Sequence, residues 1–115
     1  MSVNSSQLQC PERDDFACVY DKSKDCVYIF GGYINGDKSN DLWRFNFLSN
    51  KWSLLHPGDY KELHQNPKKI PAPRIGARMI KVGVDILVHN GHDNDNEKLT
   101  DLWKFDEDSS TWTEI

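Results

Sequence analysis

The first thing this sequence lacks is a disulfide framework. Its three cysteines, Cys10, Cys18 and Cys26, are an odd number with no CxxC spacing, which argues for reduced thiols and a cytoplasmic location. Cys18 and Cys26 fall in expected strands and read as small buried hydrophobes. No apolar run approaches membrane-spanning length, and the polar start Met1-Ser2-Val3-Asn4-Ser5-Ser6 has neither the basic nor the apolar part of a signal peptide. The chain is therefore expected to be soluble, with no membrane partner. An excess of positive charge is missing too: 14 basic against 18 acidic residues give a net charge of −4, which disfavours nucleic acid as a partner. Catalytic motifs are absent. There is no G-x-S-x-G, no glycine-rich phosphate loop and no cysteine in a His/Asn context, so no catalytic residue is assigned and no enzyme is expected.

What the sequence does have is an echo of itself. Asp41-Leu42-Trp43-Arg44-Phe45 returns sixty positions later as Asp101-Leu102-Trp103-Lys104-Phe105, each followed at the same distance by a tryptophan, Trp52 and Trp112. Laying 16–55 over 76–115 without a gap gives ten identities: Ala17/Ala77, Asp25/Asp85, Gly31/Gly91, Lys38/Lys98, Asp41/Asp101, Leu42/Leu102, Trp43/Trp103, Phe45/Phe105, Ser49/Ser109 and Trp52/Trp112. A fixed period of this size means one supersecondary unit used twice and stacked on itself.

Each unit reads as four short antiparallel strands. In the first, Phe16–Tyr20 and Cys26–Phe30 flank a polar turn at 21–25. Gly31-Gly32 then stops the strand before a loop from Tyr33 to Asn40. Leu42–Phe47 alternates so that Trp43, Phe45 and Phe47 share a face, and Lys51–Leu55 closes the unit. The second repeats the plan over Ala77–Val82, Val84–His89, Leu102–Asp106 and Thr111–Ile115. Between them, 56–73 carries Pro57, Pro67, Pro71, Pro73 and Gly58, a connector and not a strand. Leu63 and Ile70 could pin it to a sheet edge, and Asp59–His64 could form a helical turn. The expected organisation is a flexible lead (1–12), a first unit (13–55), the Pro-rich connector (56–73) and a second unit (74–115).

The strand ending in Tyr28-Ile29-Phe30-Gly31-Gly32, the run Asn40-Asp41-Leu42-Trp43, and an aromatic and a tryptophan with six residues between them (Phe45 to Trp52, Phe105 to Trp112) together resemble a Kelch repeat. Pro71-Ala72-Pro73-Arg74-Ile75-Gly76 is similar to that family's approach to its first strand. The repeat motif then consists of Gly31, Gly32, Asp41, Trp43, Phe45 and Trp52, with Gly91, Asp101, Trp103, Phe105 and Trp112 in the second copy. Three features depart from the pattern. The diglycine is replaced by Gly91-His92 in the second copy, Arg13 stands one position out of register in the first, and the period of sixty is long. The resemblance implies an all-β fold: two four-stranded antiparallel blades of a Kelch-type β-propeller, an incomplete ring, with the first strand of each blade innermost. Propellers have about four to eight blades. Two would leave outer faces bare, to be covered by further blades of a longer protein or by self-association, with Trp52 and Trp112 suited to the space between blades.

Strand parity puts the loops 33–40, 56–73 and 92–100 on one rim. Binding residues concentrate on loops held by a rigid scaffold. The resemblance and the missing catalytic constellation together imply a scaffold for binding a partner protein or peptide. Its candidate contacts are Tyr33, Asn35, Asp37, Lys38, Tyr60, His64, Lys68, Lys69, His92, Asp93 and Asp95. The rival expectations are a purely structural role and a part of a metal-dependent propeller enzyme, since some members of the family are copper oxidases or iron-dependent specifier proteins. His56, His64, His89 and His92 lie near Asp93 and Asp95, but zinc-type spacing is lacking, and Asp93-Asn94-Asp95-Asn96-Glu97 lacks the glycine and glutamate of a calcium loop, so no metal or cofactor is assigned. Asp41 and Asp101 read as turn-capping acceptors of backbone N–H groups, and Trp43 and Trp103 as packing residues.

Overall fold

The computed structural model describes residues 8–58 and 70–115. Within them the chain forms β1 (Ala17–Asp21), β2 (Cys26–Ile34), β3 (Asp37–Asn46), β4 (Lys51–His56), β5 (Arg78–Val82), β6 (Asp85–His89), β7 (Leu102–Asp106) and β8 (Thr111–Glu114), with no helix. These make two antiparallel meanders in the orders β1-β2-β3-β4 and β5-β6-β7-β8, as expected for two blades. The inner strands β1 and β5 are the elements of the two sheets that adjoin, which leaves β4 and β8 outermost.

One expected loop is a strand pair. β2 does not stop at Gly31-Gly32 but runs on to Ile34, and β3 already begins at Asp37. The two are joined by the two-residue turn Asn35-Gly36, whose φ values of 52° and 89° are both positive. That geometry matches the twist of the flanking strands and is what an Asn-Gly pair favours. The diglycine marks a bulge between Phe30 and Gly32 instead of a strand end. A Cβ on Gly32 would lie 2.6 Å from the Asp14 carbonyl oxygen, and one on Gly31 2.8 Å from that of Arg74. The glycines are there because incoming backbone passes directly over them.

The gapless overlay of the two halves is also corrected. Ala17 pairs with Phe30 and Arg78 with His89, whereas Val27 pairs with Phe45 and Ile86 with Phe105. The first strands are therefore 61 positions apart, the second strands 59, and only the third and fourth strands keep 60. The physical cause is the β5–β6 turn, Gly83-Val84, which is two residues shorter than 22–25. With this shift two apparent departures vanish. Asn90 and Gly91 (φ 68° and 106°) stand where Gly31 and Gly32 (φ 71° and 103°) stand, and His92 occupies the place of Tyr33. Arg13 falls in register with Arg74, and Asp15 (φ 53°) takes the position of Gly76 (φ 70°). Ala17/Ala77, Asp25/Asp85 and Gly31/Gly91 are identities of sequence and not of place.

The core lies between the sheets. Cys26, Tyr28, Phe30 and Leu42 of the first blade and Ile86, Val88, Trp103, Phe105 and Trp112 of the second are buried in one cluster, with Ile70 of the connector packed against it. Trp112 sets its ring edge-on to Phe30 across the interface, 5.3 Å between centroids. Trp52 packs within its own blade as Trp112 does, 5.0 Å from Phe45 against 5.1 Å from Phe105. Its far side has no neighbouring blade, and it is only partly buried. Cys26 is buried as expected, but Cys18 is exposed, because it points to the uncovered side of the first blade. Leu63 and the helical turn considered for Asp59–His64 lie outside the described residues.

Candidate interaction surface

Two side-chain clasps hold the rim. Arg13 donates from both terminal nitrogens to Asp41, at 2.6 and 3.0 Å, and also to the Gly31 carbonyl. Arg74 does the same with Asp101, at 2.7 and 2.9 Å, and with the Asn90 carbonyl. Each aspartate accepts a further bond at 2.8 Å from an indole, Trp43 or Trp103. The expected role of Asp41 and Asp101 is thereby corrected: their main partners are a guanidinium fork and an indole, not backbone N–H groups. Burial pushes both carboxyls up, but the hydrogen bonds from Arg13, Ser39 and Trp43, or from Arg74 and Trp103, outweigh it and hold them below the usual carboxylate range. The Arg74 backbone also bonds to Ser39 and Gly32, so one residue joins the first blade through its main chain and the second through its side chain.

A second set of ion pairs crosses the interface at the opposite end. Lys81 donates to Asp21 at 2.9 Å, and Glu107 accepts from Arg44 and, at 2.9 Å, from the Tyr28 hydroxyl. The Lys81 bond, followed by those from Ser23, lowers the Asp21 carboxyl to about 2. An unfolded aspartate titrates near ~3.9, so the pair stabilises the blade contact fully above about pH 4 and loses that contribution as pH falls toward 2. Acid unfolding of the Asp21→Asn variant is expected to show a shallower stability loss over that window than the parent, measured by urea melts at stepped pH.

The rim surface comes from the β2–β3 hairpin tip, the loop 92–100 and the ends of the connector. Strand parity placed these together, and the structure does too. Lys38 is buried, donating to the Asp93 carbonyl and, at 2.9 Å, to the Asn96 side chain. Asn40 donates to the Pro71 carbonyl at 2.9 Å. Lys38 is therefore a strut between hairpin and loop, which corrects its expected exposure. Asp93 is likewise turned inward, its carboxylate capping the backbone N–H groups of Asp95 and Glu97. Asn35, Asp37, His92 and Asp95 are exposed and Tyr33 half-buried. A cleft of about 170 Å³ opens between Ala72-Pro73 and Asp93-Asn94-Asp95. Tyr60, His64, Lys68 and Lys69 lie outside the described residues. Among the described residues no three His, Cys, Asp or Glu side chains converge as a metal site would require. Sequence reading missed the Arg13 and Arg74 clasps, although Arg and Asp at nearly constant spacing before Leu-Trp was the available signal.

Two four-stranded meanders, each clasped by Arg, Asp and Trp and leaning on each other through a tryptophan, define a pair of β-propeller-type blades. The chain belongs to the Kelch-repeat family: residues 2–115 match the KLHDC2/KLHL20/DRC7 Kelch-repeats domain. It is 44% identical over 116 residues to Tip elongation aberrant protein 3 of Schizosaccharomyces pombe, covering 77% of this chain and 10% of that protein. It is 25% identical over 100 residues to Negative regulator of sporulation MDS3 of Candida albicans, covering 70% of this chain and 7% of that one. A RING finger domain and kelch repeat-containing protein of Dictyostelium discoideum is 33% identical over 43 residues, 37% of this chain and 4% of that protein. The chain thus spans a tenth or less of the length of these curated relatives.

Proposed function

We propose that this chain is a protein-interaction module that grips a partner protein or peptide along the rim built from the β2–β3 hairpin and the 92–100 loop. The observation that carries the reading is a division of labour there. Lys38, Asp93 and Asn40 are spent on holding the rim together, while Asn35, Asp37, His92 and Asp95 beside them are exposed. A rigid platform carrying polar side chains that the fold does not need is what a recognition surface requires. Free thiols at Cys10, Cys18 and Cys26 are in keeping with action in the cytoplasm.

The test is a rim scan in the protein that contains these blades. Partners recovered with the parent are compared with those of Asn35→Gly/Asp37→Ala, where glycine keeps the positive φ of the turn, and His92→Ala/Asp95→Ala. The expected result is partner loss of tenfold or more with melting temperature unchanged, since surface substitutions of this kind shift stability by only about 0.5 kcal/mol. Undiminished recovery with both pairs would overturn the assignment of the rim.

A further inference from the structure

The sequence holds two Asn-Gly pairs, Asn35-Gly36 and Asn90-Gly91, and the fold treats them oppositely. Such a pair has a chemistry of its own. A backbone nitrogen can attack the side-chain carbonyl of the asparagine before it, and glycine leaves that nitrogen without a flanking side chain. The attack requires the peptide between the two residues to turn, so that its nitrogen faces the asparagine Cγ. Whether the native structure permits that rotation decides the outcome at each pair.

At Asn90 it does not. The carbonyl of the 90–91 peptide accepts from the buried Arg74 guanidinium at 3.2 Å, and the Asn90 N–H donates to the Asp101 carbonyl. Gly91 is buried, and a Cβ there would lie 2.7 Å from the Ile75 carbonyl oxygen. Rotation would break a hydrogen bond to a charged donor inside a crowded bulge. Asn35-Gly36 is the opposite case. It is the tip of the β2–β3 hairpin, closed behind by the Ile34–Asp37 pair. Both residues are exposed, and a Cβ on Gly36 would meet nothing within 4 Å. Among the described residues, the Asn35 carbonyl, its side-chain amide and the Gly36 N–H have no hydrogen-bond partner. Rotation there breaks nothing.

We propose that Asn35 is a site of spontaneous deamidation in the folded protein, with the Gly36 nitrogen as nucleophile, while the fold protects Asn90. The bond from the Gly36 nitrogen to Cγ forms as the bond from Cγ to Nδ2 breaks. The N–H proton leaves with the amide nitrogen as ammonia, and a succinimide ring remains. Water then opens the ring: at Cγ it gives aspartate, at the main-chain carbonyl isoaspartate. No electrons are exchanged. Either product places a new carboxylate beside Asp37 at the hairpin tip. Isoaspartate also adds a main-chain carbon to the two-residue turn between β2 and β3. The tight turn that fits the strand twist does not survive that insertion, so this edge of the rim is rebuilt as well as recharged.

The experiment holds the protein that contains these blades in mildly alkaline buffer, both folded and in urea. Each asparagine is followed by peptide mapping and by labelling with an isoaspartyl methyltransferase. In urea the two Asn-Gly pairs are expected to convert at similar rates. In the folded protein Asn35 should convert about tenfold or more faster than Asn90, the rate equivalent of one hydrogen bond to a charged donor. It should also outpace Asn94 and Asn96, which precede residues bearing side chains. Asn35→Gly keeps the positive φ of the turn and removes the amide, so the isoaspartate label should disappear from the folded protein. A folded protein in which Asn35 converts no faster than Asn90, or in which another asparagine converts first, overturns the proposal. Labelling that persists in Asn35→Gly overturns it equally.

Discussion

Replacing Arg74 with methionine is expected to cost about 3 kcal/mol of folding stability, toward the lower end of what breaking a buried ion pair costs. The side chain is wholly buried, and its four donor contacts reach Ala72, Asn90 and both oxygens of Asp101. Methionine fills much of the volume, so the loss reports mainly on polar groups left without partners. Asp101 keeps its bond from Trp103 and is about a fifth exposed, which is why water limits the damage. Arg74→Lys should recover only part of the loss, because a single ammonium cannot reproduce a planar fork that engages two oxygens and two carbonyls. The reverse change, Asp101→Ala, strands a buried guanidinium and should cost at least as much. Urea melts at neutral pH measure all three. The depressed Asp101 carboxyl adds a sign: the deficit of Arg74→Met relative to the parent is complete above about pH 4 and shrinks in acid, where protonation removes the parent's ion pair as well.

This arginine also shows where the sequence was readable and where it was not. Strand identity came through because alternation of apolar and polar residues is a local signal. The eight expected strands are all present, displaced at their ends by a few residues except at the β2–β3 hairpin. There Asn35-Gly36 falls inside the expected loop 33–40, since a diglycine looks like a strand end. Glycine reports that a backbone is special without saying how, and only the approach of Asp14 and Arg74 explains Gly31 and Gly32. The register of Arg13 with Arg74 was hidden for a similar reason. A turn shortened by two residues moves β5 and β6 in opposite directions, so a gapless overlay averages the two shifts and displaces both. On the rim, sequence reading located the loops but could not distinguish Lys38, a strut, from Asp37, which is exposed. That distinction depends on which way one residue of a strand faces, and the extended hairpin was needed to fix it.

The two repeat tryptophans test how far the blades differ in setting while sharing a sequence. Trp112→Ala is expected to cost about 3–5 kcal/mol, the range for emptying a large aromatic from a core. It removes edge-on contacts to Phe105 and Trp103 within the blade and to Phe30 across the interface. Trp52→Ala removes the matching contacts to Phe45 and Trp43 but none to another blade. Its cost should be less than half as large, because a partly exposed indole gives up less buried area. Thermal melts of both variants measure the difference, and equal penalties would show that the contact of Trp112 with Phe30 across the interface contributes nothing.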